Sequence, residues 1–153
     1  MTNDKTVDAL NRLVEINNDR IEGYETAAGE TDDQDLKVLF GRFAQASHTC
    51  RKELASEIAS LDGTPTEGTK NSGKLFRAWM DVKAAITGND RKAILNSCEF
   101  GEDNALETYE NVLKDDREHL SSGHISMINT QKSLLKGDHD KVKSMRDQLQ
   151  LHG

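Results

Sequence analysis

Apolar positions recur at helical spacing along almost the whole chain, and polar breaks divide them into five stretches. The first places Leu10, Leu13, Val14, Tyr24 and Ala28 on one face, with Asn17 near its centre and Glu25 on its edge; Gly29 is expected to stop it. Thr31, Asp32, Asp33 and Gln34 read as a capping box, the Thr31 hydroxyl accepting the third backbone N–H while Gln34 reaches back. The second helix then carries Leu36, Leu39, Phe40, Phe43, Ser47, Cys50, Leu54, Ile58 and Leu61, with small residues in its middle. Asp62 and Gly63 end it, and the stretch to Ser72, with Pro65 and Gly68 and no periodicity, is the one real linker.

A shorter helix over 73–87 carries Leu75, Phe76, Trp79, Met80, Val82 and Ile86, and Gly88 stops it. Asn89 or Asp90 caps the fourth helix, which runs to Leu113 and lines up Ile94, Leu95, Cys98, Ala105, Tyr109, Val112 and Leu113 with Gly101 and Glu102 in mid-stripe, where Gly101 is expected to let a neighbouring helix come close. The chain turns between Lys114 and Ser122, with Asp115–Asp116 and Ser121–Ser122 both suited to capping the last helix. That helix runs to about Gln150, its inward line expected at Leu120, Met127, Leu134, Val142, Met145 and Leu149, interrupted by His124, Gln131 and Asp138. The expected fold is therefore all-α and a single domain over residues 1–153. Four long helices with short outer connections and a long middle one imply two antiparallel hairpins joined by one crossover, which contains the extra short helix.

Composition narrows the function classes. A formal charge of −7 argues against nucleic acid as a partner, because phosphate binding needs a basic face. Two cysteines, Cys50 and Cys98, are too few for a disulfide scaffold and read as small apolar filler. The polar start MTNDKTVDAL and the absence of a long apolar run point to no membrane and to a cytoplasmic protein.

The segments VEINNDRIEGYE, WMDVKAAITGNDRKAIL, CEFGEDNALETYE and GDHDKVKSMRD resemble an uncharacterised bacterial four-helix-bundle family, a domain of unknown function grouped with the ferritin-like superfamily. The resemblance implies a ferritin-like bundle with one crossover and carries no established activity. A ferritin-like carboxylate site needs inward Glu residues from two helices and a Glu-x-x-His pair from each of the others. No such pair exists: the nearest echo, Gln45 to His48, has an amide for the carboxylate and faces solvent, and Asp138 and His139 are sequence neighbours that point apart.

Asn17, Ser47, Glu102 and Gln131 remain inward, with Glu25, His124 and Asp138 nearer the ends. They read first as a hydrogen-bonded polar layer in a non-enzymatic protein, with Gln131 satisfying Glu102, Asn17 pairing with Ser47, and no cofactor. The alternative is a metal-binding or metal-dependent oxidative protein that holds iron, manganese or zinc around Glu25, Glu102 and Asp138. His119, His139 and His152 are expected in solvent. Phe100, on the outer side of its helix, is expected to be covered by the Trp79 helix, with a homodimer through Phe76, Trp79 and Met80 as the second possibility.

Overall fold

The computed structural model describes residues 3–69 and 73–152; Ser72, the expected end of the linker, lies outside them, as does the side chain of His152. The described residues form five α-helices and a short 3-10 turn, with no strands: α1 (Asp4–Glu30), α2 (Gln34–Ser60), α3 (Gly73–Thr87), α4 (Arg91–Asp115), the turn Arg117–His119, and α5 (Ser122–His152). None of these helices is long and apolar enough to cross a membrane.

Local chemistry sets the boundaries. α1 runs through Gly29 and stops where Thr31 turns extended, at φ −82° and ψ 143°. The cap of α2 is Asp33 rather than Thr31: its carboxylate accepts the amides of Asp35 (2.9 Å) and Leu36 (3.2 Å) and also holds Arg91 of α4. A carboxylate outcompetes a hydroxyl here because it also complements the positive end of the helix dipole. Asp62 and Asn89, at φ 62° and 56°, supply the left-handed residues just beyond α2 and α3. Between α4 and α5 the cap is Ser121, whose Oγ accepts the His124 amide while His124 Nδ1 accepts the Ser121 amide, each at 3.1 Å. This is a reciprocal capping box with an imidazole in the position usually held by a carboxylate. The linker is not loose either: Asn11 and Asn18, two turns apart on α1, hydrogen-bond the backbone of Thr64, Thr66 and Gly68.

α1 packs along α2, and α4 along α5; α3 lies against α4 and touches α1. The apolar interior falls into two clusters. Residues up to Ile16 on α1, from Leu54 on α2, from Ala105 on α4 and up to Leu135 on α5 form the first, with Leu75 of α3. Residues from Tyr24 on α1, up to Ala44 on α2, up to Cys98 on α4 and Val142 on α5 form the second, with Val82 and Ala85 of α3. Every long helix therefore crosses a non-apolar waist near its middle.

Three packing expectations are corrected. Leu134 is 44% exposed, and the inward line of α5 runs His124, Ile128, Gln131, Leu135 and Val142. The two lines share a spacing and differ in phase: the expected one starts at Leu120, which precedes α5 in extended backbone, so its phase does not carry into the helix, whereas the buried one starts at His124 in the first turn. Phe100 is 47% exposed, because α3 meets α4 on the side of Ile94, Leu95 and Cys98, with Trp79 over Gly23 and Tyr24 of α1, and leaves the outer face of α4 uncovered. Gly101 is buried, yet a Cβ built there meets nothing within 4 Å, so it does not admit a neighbouring helix; the glycine that does is Gly23, under the Trp79 indole.

Candidate functional site

The waist is built around Arg20, a residue the apolar pattern does not single out. It lies on α1 one turn from Asn17 and one turn from Tyr24, and is buried between the two clusters. Its guanidinium donates from Nη2 to Glu102 Oε1 (2.7 Å), from Nε to Glu102 Oε2 (3.1 Å), from Nη1 to Ser47 Oγ (2.5 Å) and from Nη2 to Asp138 Oδ2 (3.1 Å). One side chain thus joins α1, α2, α4 and α5. Tyr24 adds its hydroxyl to Glu102 Oε1 at 2.7 Å, and its ring, beside the guanidinium, packs on Phe40, Phe43 and Trp79. Both oxygens of Glu102 are engaged, the arrangement a buried carboxylate needs.

A second network lies on the side of the waist toward the first cluster. Asn17 Nδ2 donates to Tyr109 Oη (2.8 Å) and to the Leu13 carbonyl, and Tyr109 donates to Gln131 Oε1 (2.7 Å). Gln131 Nε2 continues to the Cys50 carbonyl (3.3 Å) and Glu53 (3.2 Å). Asn17, Ser47, Glu102 and Gln131 are all buried. Their pairing is not the expected one: Ser47 and Glu102 both serve Arg20, and Asn17 and Gln131 both serve Tyr109. Phenol and guanidinium reach across the bundle where short polar side chains do not.

Electrostatics follow from this geometry. Burial works against the charge on Arg20, but Glu102, Tyr24 and Asp138 together outweigh it and hold the guanidinium charged, above its ordinary range. Burial pushes the Asp138 carboxyl up to about 6, with Arg20 opposing and Glu102 assisting. Burial likewise pushes the thiols up, to about 11 for Cys50 and higher for Cys98, so neither offers a thiolate nucleophile at neutral pH. Tyr24 and Tyr109, desolvated, stay protonated and act as donors.

The residues considered for a metal do not converge. Glu25 is exposed and lies 3.7 Å from His48, while Glu102 and Asp138 face Arg20. A guanidinium occupies the position between these two carboxylates that a cation would take. His124 lies at the far end of α5, its Nε2 2.8 Å from Glu57. His139 is not solvated: its side chain is 12% exposed and sits between Asp103 and Asp140. Away from the waist, a groove of about 280 Å³ runs between α1 and α3, lined by Gly23, Ala27, Trp79 and Ile86 with Phe76 and Met80 exposed along it.

Residues 5–115 match a family model described only as a domain of unknown function. No curated protein matches the chain.

Proposed function

This chain belongs to the family of the domain of unknown function DUF2383, and we propose that it is a non-enzymatic helical-bundle protein that acts by association. In this reading the chain is one domain and its two hairpins are joined by a ferritin-like crossover. The order in which the helices pass the two apolar clusters supports that topology, since α2 and α4 pass them in the same sense and α3 in the reverse. The waist serves register and not chemistry.

The observation that carries the proposal is that Arg20 and Tyr24 engage both oxygens of the buried Glu102. Oε1 accepts from Arg20 and Tyr24 and Oε2 from Arg20, so a metal ion at Glu102 would have to displace a buried guanidinium that already neutralises the carboxylate. Association is supported by α3, where Phe76 and Met80 stand exposed one turn apart beside Trp79, the surface proposed for a homodimer. The resemblance to ferritin-like bundles supports a stress-related role, and the acidic balance supports the cytoplasm.

Elemental analysis of protein purified without chelator tests the first half. Metal content is expected to be the same in the wild type and in Glu102→Ala; stoichiometric iron or manganese lost in that variant would overturn it. Sedimentation velocity tests the second. A wild-type dimer that Phe76→Glu and Met80→Glu convert to folded monomer is expected, and a wild-type monomer at high micromolar concentration would exclude the dimer.

A further inference from the structure

On the outer side of the same helical turns, a second set of side chains meets between α4 and α5. Glu99 and Asp103, four residues apart, lie on one face of α4, and His139 reaches them from α5. One ligand atom from each lies within 4.8 Å of the other two. Among the described residues this is the only group of three or more His, Cys, Asp or Glu side chains that converges so closely. We propose that Glu99, Asp103 and His139 form a zinc-binding site that clamps α4 to α5.

The chemistry favours zinc over the hard cations. An imidazole nitrogen beside two carboxylates suits zinc, whereas magnesium and calcium take oxygen donors alone. His139 Nε2 faces Asp103 Oδ1 at 2.7 Å, and its Nδ1 is held by Asp140 Oδ1 at 3.1 Å. A histidine that gives its other ring nitrogen to a carboxylate has its orientation fixed and its donor strength raised, as zinc ligands commonly do. Tetrahedral zinc with bonds near 2.1 Å sets neighbouring donors about 3.4 Å apart, so the ion replaces the Nε2–Asp103 hydrogen bond with a small widening. Glu99 completes three protein ligands and leaves a fourth position to water.

Charge at the site also favours a cation. Glu99, Asp103, Asp140 and Asp147 are countered by Lys136 and Arg146 alone among the ion pairs formed there. Arg146 is the internal competitor. It now holds Glu99, but it also bonds Asp147 at 3.1 Å, so it keeps a partner when Glu99 turns to the ion. The site is distinct from the waist, because Glu102 and Asp138 point inward to Arg20 while their sequence neighbours Asp103 and His139 point outward.

Calorimetric titration of the apo-protein with zinc chloride tests this. One zinc per chain is expected, with a rise in melting temperature that excess magnesium does not reproduce. His139→Gln and Asp103→Asn are expected to lose both effects while keeping wild-type circular dichroism, and His48→Gln to keep them. Arg146→Met, which frees Glu99, is expected to bind more tightly. Absence of stoichiometric binding to the wild type, or binding that His139→Gln leaves intact, would overturn the site; unchanged or weaker binding by Arg146→Met would overturn the competition.

Discussion

Arg20 of α1 and Glu102 of α4 meet through two nearly parallel hydrogen bonds, at 2.7 and 3.1 Å, with side chains only 3% and 0% exposed. Such a pair holds its place less by net attraction than by the cost of breaking it, since each charge has left water. Arg20 retains Asp138 and Ser47 when Glu102 is lost, whereas Glu102 retains only Tyr24 when Arg20 is lost.

Arg20→Met and Glu102→Leu are therefore each expected to cost about 3–5 kcal/mol of unfolding free energy, with the arginine loss the larger. The double variant, which replaces both charges by apolar groups of similar size, is expected to recover most of that loss. Denaturant unfolding of all three measures the coupling. Losses that simply add would show that the two side chains stabilise the fold independently.

The helices were legible in the sequence because burial imposes a 3.6-residue period that composition cannot hide. The inward placement of Asn17, Ser47, Glu102 and Gln131 was legible for the same reason. Arg20 was not, because a long cation reads as a surface residue. Its signal was present all the same: it sits three residues after Asn17 and four before Tyr24, on their stripe, and a buried Glu102 requires a cation. Pairing was illegible because it depends on side-chain reach across the bundle, where Arg20 and Tyr109 span gaps that Ser47 and Asn17 cannot. The choice between Leu134 and Leu135 turned on one residue of helical phase, and a count that starts at Leu120, in extended backbone before α5, enters the helix out of phase.

Tyr109 is the hinge of the second network, accepting from Asn17 and donating to Gln131. Tyr109→Phe removes both bonds and leaves buried amide atoms unpartnered, so a loss of about 1–3 kcal/mol is expected. Tyr24→Phe removes one bond to a carboxylate that Arg20 still holds, and a smaller loss is expected. Melting temperatures of the two variants compare them directly; an equal or greater loss for Tyr24→Phe would contradict this ordering.

Asp138 gives the waist a pH dependence of its own. Its folded-state pKa, raised to about 6 by burial, exceeds the unfolded value of 3.8, so the folded state binds the extra proton between these limits. The stability this contributes is fully present below the unfolded pKa and is lost as pH rises through about 6. Asp138→Asn lacks that loss. Its stability relative to the wild type is expected to move in the variant's favour between pH 4 and pH 7, measured by urea unfolding at fixed ionic strength. A flat difference across this window would show that the carboxyl is not desolvated as its position implies.

Two mid-helix glycines are expected to respond oppositely to alanine. At Gly101 a Cβ meets nothing within 4 Å, so Gly101→Ala gains helix propensity without a steric cost and should stabilise by up to about 1 kcal/mol. At Gly23 a Cβ falls inside the Trp79 indole, whose ring also packs on Tyr24 at a centroid distance of 5.0 Å. Neither the ring nor α3 can retreat without opening the contact between α1 and α3, so Gly23→Ala is expected to cost about 1–3 kcal/mol despite the gain in propensity. Trp79 is the sole tryptophan, which makes its emission a specific reporter. A red shift in Gly23→Ala, with none in Gly101→Ala, is the expected pattern, because only the first substitution lifts the indole toward water. An unshifted spectrum with full stability in Gly23→Ala would mean that α3 does not seat on this glycine.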